Sequence, residues 1–499
     1  MKTKTLVVVL AMGLGASALA GCPTTFSVCE EGPCGTADGS TPETGPGPDV
    51  VIPDSGKDAD PIPTGCDTPT EPAKNAEKCL TDEFGSFVSP NGNDGNPGTK
   101  ALPYKTLGQA LKGTRTRIVV CEGDYAGSVE VTRAVEIYGG ASCDFTKAGG
   151  KAKVVAAKAG YGIKVEKVSG AVVLADLEVV GANGAAPSES SMGVFVTESG
   201  SVKILRSRIE AGDGADAPPK RDGNFTYPAD AMLKGADGDD KKNGDVTDDT
   251  GGAGGSTAAC PGGGTSSGGK GGNFGFQGLD GAPRPPGGVK GDPNGNCAFG
   301  LGKDGDPGSA GQASPGASAA ARLSGGGIEG TKGQDGTAGG IGGGGGGGFG
   351  FTGAGGGGGA GGCGGQGGFG GGAGGSSVAL VSHMSTVTLT AVELVAKTAK
   401  AGGTGGTGQT GQSGGFRGNG SGAACQGGNG AKGGDGGAGG GGAGGIAAGI
   451  AWAGGKEPEK DAATKITRPT GAAPQGGMGG AGASNKGVDG VHADVFEVK

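Results

Sequence analysis

Short apolar runs punctuate the first half of this chain, with polar residues alternating between hydrophobic ones. Ile118-Val119-Val120, Val129-Glu130-Val131 and Val135-Glu136-Ile137-Tyr138 follow one another at intervals of about ten residues, each closed by Gly or turn residues. A period near two in pieces this short predicts β-strands rather than helices. One segment upstream breaks the pattern. After a strand at Phe87-Val88-Ser89 and a turn-rich loop, Thr106 stands as a helix N-cap, Leu107, Ala110 and Leu111 share one helical face, and Gly113 is the stop.

The apolar pattern also recurs at long range. The stretch Ser191 to Gly214 aligns without gaps onto the stretch beginning at Ser376, which sets Phe195 on Leu380, Val196 on Val381, Val202 on Val387, Ile204 on Leu389 and Ile209 on Leu394. With a one-residue shift, Gly162 to Gly184 gives another copy, in which Val172, Leu174 and Val179 match Val202, Ile204 and Ile209. A weaker fourth copy begins at Gly444. One such unit cannot bury its own apolar face, so the copies are expected to stack as coils of a repeat fold.

The run FVSPNGNDGNPG…PYKTLGQAL, from Phe87 to Leu111, resembles the N-terminal module of bacterial parallel β-helix proteins of the pectin-lyase-like superfamily. That resemblance implies an all-β fold, a right-handed parallel β-helix, over roughly residues 85–215, and it implies no function, because the module itself has none assigned. Parallel crossovers favour the right-handed form independently.

Between the copies lie glycine-rich insertions resembling PGRS-like segments. Gly recurs at every third position from Gly350 through Gly374, from Gly402 through Gly414 and from Gly427 through Gly445. Three readings compete. Collagen needs abundant Pro, which these runs lack. Disorder is the default for Gly-rich chain. A bundle of polyglycine II helices, with three residues per turn, would put all the Gly of a Gly-x-x frame on one edge where a neighbour can approach. Ordering costs about 1–2 kcal/mol per residue while each hydrogen bond returns about 0.5–1.5 net, so magnitudes leave disorder and bundle both open.

The predicted organisation is a signal peptide over 1–21, an acidic Pro/Gly-rich tether over 22–65 and β-helix coils over 66–230. A Gly-rich insertion follows over 231–375, then a coil over 376–400, a second insertion over 401–445 and C-terminal coils over 446–499. The first of these is the most specific. MKTK is a basic n-region, the next residues are apolar, and Leu19 to Cys22 looks like a bacterial lipobox. That resemblance implies cleavage before Cys22, lipidation of its sulfur and a membrane anchor; Pro23, in place of the Asp that favours inner-membrane retention in this class, points to the outer membrane.

Composition narrows the remaining choices. With 127 Gly in 499 residues the chain has material for a modest core, and a net charge of -8 with no basic stripe argues against nucleic acid as a partner. Of the 11 Cys, those other than Cys22 are even in number and suit disulfides in an oxidising compartment. Sequence order suggests Cys29–Cys34, Cys66–Cys79, Cys121–Cys143, Cys260–Cys297 and Cys363–Cys425, one of the many connectivities that ten cysteines allow. Zinc is disfavoured, with no C-x-x-C pair and only His383 and His492 as histidines.

No catalytic, metal or cofactor motif emerges. Lys203, Arg206 and Arg208 are candidates for a polysaccharide-lyase base, although no acidic partners recur at matching positions, and they read better as outward coil residues. Residues 236–249 form an acidic loop without EF-hand spacing, residues 91–96 a turn, and Gly264 to Gly271 a near match to a phosphate loop that lacks its Ser/Thr. His383 reads as structural. Phe274, Phe276, Phe349, Phe351, Phe369 and Phe416 dot the Gly-rich runs and are expected to pack them, with a sugar-stacking platform as the competing role. The expected function is a non-enzymatic, lipid-anchored envelope protein with a structural or adhesive role. The alternative is a polysaccharide-binding or polysaccharide-cleaving β-helix protein.

Overall fold

The structure, a computed structural model, describes residues 60–240, 249–294 and 296–499. Cys22 and the expected Cys29–Cys34 pair lie outside them.

After β1 (Ser86–Val88) the chain winds in coils of three strands. The first coils are β2 (Arg117–Cys121), β3 (Gly123–Ala126) and β4 (Val129–Val131), then β5 (Val135–Ala141), β6 (Ala152–Val155) and β7 (Gly160–Glu166), then β8 (Ala171–Ala175), β9 (Leu177–Val180) and β10 (Ser191–Thr197). The next begins with β11 (Ser201–Leu205) and β12 (Arg208–Glu210). An antiparallel hairpin, β13 (Ala321–Ser324) and β14 (Gly327–Gly330), lies within the long excursion before it closes at β15 (Ser377–His383). Two more coils follow: β16 (Val387–Thr390), β17 (Glu393–Val395) and β18 (Ile446–Ala453), then β19 (Glu459–Lys460), β20 (Lys465–Thr467) and β21 (Val491–Glu497). Equivalent strands pair in parallel, giving one sheet of seven strands and two of six. The architecture is all-β and parallel β-helix-like.

Stacking buries what no single coil can. Val194 lies between Ile163 and Leu380, and Ile204 between Leu174 and Leu389, so inward Val, Ile and Leu form continuous rows in one core. Two corners are turned by single non-Gly residues at positive φ, Asp176, Arg206 and Ala391 at one and Lys167, Glu198 and Met384 at the other. Such backbone costs free energy, and serines beside it supply compensating bonds: Ser199 Oγ accepts from Val168 N and Ser385 Oγ from Ser199 N.

The gapless repeat alignment needs one correction. Val202, Ile204 and Ile209 do pair with Val387, Leu389 and Leu394, but Phe195 pairs with Val381 and Val196 with Ser382. The turn after Thr197 is one residue longer than the turn after His383, which shifts the preceding strand by one place. A one-residue slip exchanges the faces. Phe195 therefore lies outside the coil, in a second apolar cluster with Ala321 and Ile328 of the hairpin.

The structure also moves the expected boundaries. Asp60, assigned to the tether, bonds Arg115 and the Thr116 backbone. The chain leaves the coil after Glu210, not at 231. Residues 181–190, 211–376, 396–445 and 468–490 all depart between a strand of the second sheet, which contains β3, and a strand of the third, which contains β4, so the Gly-rich excursions emerge from one corner, whereas the loop 142–151 leaves between β5 and β6.

The Gly-rich excursions run back and forth as extended segments that hydrogen-bond at every third residue. Gly362, Gly365, Gly368, Gly371 and Gly374 donate to Ala431, Gly434, Gly437, Gly440 and Ala443 at 2.8–2.9 Å. Along 342–348, successive residues face three different neighbours: a Cβ on Gly343, Gly344 or Gly345 would strike the carbonyl of Pro286, Ser267 or Gly428 in turn, and Gly346, Gly347 and Gly348 repeat the cycle against the same three segments.

Two disulfide expectations fail here. Cys66–Cys79 and Cys121–Cys143 are as expected, but the remaining pairs are Cys260–Cys363 and Cys297–Cys425, with Cα atoms 5.3 and 5.2 Å apart. Sequence proximity misleads because each segment's neighbours come from other segments, and Cys297 belongs to one excursion while Cys425 belongs to the next.

Candidate functional site

The charged candidates on the coil are engaged with one another. Arg206, at a corner, donates from Nε and Nη2 to both Asp176 carboxylate oxygens at 2.9 and 2.7 Å, and its Nη2 also donates to Thr70 O. Glu71 stands 3.2 Å away. Hydrogen bonding to Asp176 raises its pKa, so it remains a cation that fastens the segment around Glu71 to the coil rather than a proton acceptor. Arg208 belongs to a row across the second sheet, Asp124, Lys153, Glu178, Arg208, Glu393 and Lys465, whose charges alternate in sign. It contacts Glu178, Glu393 and, at 2.6 Å, Glu210. These acidic partners escaped the repeat comparison because the sign changes from coil to coil. Lys203 is exposed.

On the third sheet, His383 Nδ1 lies 3.1 Å from Thr197 Oγ1. Glu166, Thr197 and His383 form one row with the hydroxyl in the middle, an order in which the acid cannot orient the imidazole. Nearby, the Tyr161 hydroxyl donates to the Glu130 carboxylate, and burial together with that bond pushes its pKa up to about 12. Lys164 pairs with Glu166 at 2.9 Å and lies 5.9 and 5.6 Å from the ring centroids of Tyr161 and Phe195. Strand stacking alone gathers this cluster, and no sequence signal marks it.

The loop motifs resolve into structural roles. Asp94 accepts from the backbone N–H groups of Lys105 and Thr106 and from the Thr106 hydroxyl, while Thr106 Oγ1 caps Gln109 N of the helix Leu107–Lys112. The near match at 264–271 is a Gly-rich segment, with Gly268 and Gly271 against the backbone of Gly358 and Gly355. Of 236–249, residues 241–248 lie outside the described structure; Asp237 accepts from Asn419 N. Among the described residues no group of His, Cys, Asp and Glu is placed to hold a metal ion, and no helix is long and apolar enough to cross a membrane.

The phenylalanines separate into two sets. Phe349 is buried and the Phe369 ring lies under Arg221, as packing residues should. Phe276, Phe299 and Phe351 are 70%, 61% and 43% exposed, and Phe416 is exposed along a segment. The first three share one end of the Gly-rich body. There Gly350 N donates to Phe276 O, Phe349 N to Gly300 O and Cys425 N to Phe349 O, so the turns at 273–277, 296–300, 350–354 and 421–425 meet, pinned by Cys297–Cys425. The Phe349 and Phe351 ring centroids are 6.3 Å apart. Of the rings at this end, Phe276 and Phe351 are marked by the Gly-rich runs around them, whereas Phe299 follows Cys297 outside a Gly-x-x run and carries no such signal.

No protein-family model and no curated protein matches the chain. Among solved structures, a rhamnogalacturonan lyase is similar over 25% of this chain and 35% of its own, at 14% identity and a TM-score of 0.21. The GH136 lacto-N-biosidase from Eubacterium ramulus is similar over 25% and 26%, at 16% identity and 0.19, and the pectin methylesterase PemA from Erwinia chrysanthemi over 25% and 42%, at 13% and 0.18. The chain spans less than half of each of these structures, and likenesses of this size add nothing to the fold established from its own strand pairings.

Proposed function

We propose that this protein is a non-enzymatic, lipid-anchored surface protein of the cell envelope, held at the outer membrane on its periplasmic or its external face, with a structural or adhesive role. In this reading a right-handed β-helix is the base, and the Gly-rich excursions form a polyglycine II arm holding a fixed tip away from it. The observation that carries the reading is the three-residue hydrogen-bond period, locked where Cys297 of one excursion is joined to Cys425 of the next. A stapled arm of that kind suits presentation of a surface. Of the three candidates for a lyase base, Arg206 and Arg208 are held by carboxylates and Lys203 is exposed on the coil.

Two measurements test it. Cells grown with labelled palmitate should yield labelled protein in the membrane fraction, and Cys22→Ser should abolish the label and release the chain; an unlabelled, soluble wild type overturns the anchor. Amide hydrogen exchange should be slow across 355–375 and 427–445 and become fast with reductant. Immediate exchange in the oxidised protein overturns the arm.

A further inference from the structure

We infer that the open edge of β3 is a docking site for a short extended peptide segment of a partner protein, one that brings a cation to Asp124. The inference stands apart from the Gly-rich arm. The first sheet begins one strand earlier than the others, because β1 pairs with β2 while β3 and β4 are the end strands of the second and third sheets. In place of a strand beyond β3 there is a cavity of about 350 Å³. It runs along Asp124 to Val129 and is flanked by Pro90 and by Lys105 to Gly108 at the start of the helix Leu107–Lys112.

Two features fit this cavity to a peptide backbone. Gly127 N donates to Val155 O of β6, so the alternation of a strand turns Tyr125 and Gly127 toward β6 and the N–H and C=O groups of Asp124 and Ala126 toward the cavity. An edge of this kind is completed by another extended chain, whose main-chain groups supply the affinity. Gly108 is the second feature. Glycine weakens a helix, yet nothing lies within 4 Å of where its Cβ would stand, so no neighbour demands it and its missing side chain leaves the cavity open.

Charge sets the side chains of the segment. Asp124 ends the alternating row of the second sheet, and a further strand about 4.8 Å away would continue that row with Lys or Arg. Its neighbour in the row, Lys153, is paired with Glu178, and among the described residues Asp124 makes no ion pair. Lys105 makes none either. Asp94, beside Lys105, is taken up by the backbone N–H groups of Lys105 and Thr106 and by the Thr106 hydroxyl. The segment that matches carries a cation beside Asp124, a carboxylate for Lys105 and small side chains between them.

The test uses the full-length, oxidised protein in detergent and a fluorescein-labelled Thr-Lys-Ala-Glu-Val peptide with blocked ends. Binding is followed by anisotropy, and the amides of Asp124 and Ala126 by hydrogen exchange. The peptide should bind saturably and slow exchange at both amides, and its fully N-methylated form should not bind. Gly108→Leu, which fills the open space with a better helix former, should weaken binding by about tenfold or more without lowering the unfolding temperature. Asp124→Lys should weaken it by about fivefold and make Thr-Glu-Ala-Glu-Val the better ligand, a reversal that a merely structural role for Asp124 would not produce. Three outcomes overturn the inference: neither peptide binds, binding is unchanged in both variants, or exchange at Asp124 and Ala126 is already slow without peptide because a second copy or another segment covers the edge. Fast exchange in the Gly-rich arm or an unlabelled chain removes the proposed function and leaves this site standing.

Discussion

Gly345 shows how a single residue type is dictated at the scale of one atom. A Cβ there would fall on the Gly428 carbonyl, and its neighbours Gly343 and Gly344 face Pro286 and Ser267 in the same way. Where three segments surround a run, all three positions of the period must be Gly, which is why 342–348 is unbroken glycine. Where one side is open, the third position carries a side chain, and Thr404, Thr407, Thr410 and Ser413 occupy such an exposed row. Gly345→Ala should therefore destabilise the protein by about 1–3 kcal/mol through overpacking, while Thr404→Ala should stay within about 0.5 kcal/mol of wild type. Denaturant unfolding measures both. Equal effects would mean that segment 342–348 is not enclosed.

Between elements, side-chain carboxylates do work that regular sheet would assign to backbone carbonyls. Asp222 accepts from Thr407 N, Asp435 from Gly411 N and Asp489 from Gly476 N. The Lys220 ammonium and the Thr407 N–H and hydroxyl hold the Asp222 pKa down to about 2, and Lys432 and Lys486 likewise lower Asp435 and Asp489. A folded pKa below the unfolded one contributes stability above the ordinary 3.8, and that contribution disappears as pH falls toward 2. Exchange protection in the Gly-rich segments should decline across that window while the apolar coils, held mainly by backbone ladders around a Val, Ile and Leu core with carboxylate bonds only at places such as Asp60 to Thr116 N and Asp461 to Ala391 N, hold on to lower pH. Simultaneous loss in both would argue against carboxylate clips. The helix Leu107–Lys112 and the first-sheet strands were legible in the sequence because cap, apolar period and turn residues agree locally. The outer cluster of Phe195 with the hairpin was not, since one extra turn residue after Thr197 sets which face the ring takes.

At the scale of the whole molecule, two interleaved disulfides staple the Gly-rich segments, Cys260–Cys363 within the excursion 211–376 and Cys297–Cys425 between it and the excursion 396–445. Cys260–Cys363 spans 103 residues and Cys297–Cys425 spans 128. Replacing Cys297 and Cys425 by Ser should cost about 3–5 kcal/mol in the chain-entropy view, read as an earlier thermal transition of the Gly-rich body with the coil transition little changed. A single unchanged transition would show that the segments hold without the staple. Sequence alone determined the repeating coil, through alternating apolar residues that recur in register, and the three-residue glycine frame, through the steric demand of a close neighbour. Both are periodic constraints, and a period is written along the chain. The tertiary structure decided the disulfide partners, the alternating charge row through Arg208 and the meeting of Phe276, Phe299 and Phe351. Each of these depends on which segment lies beside which, a choice made by packing between residues far apart in the chain and carried by no local pattern.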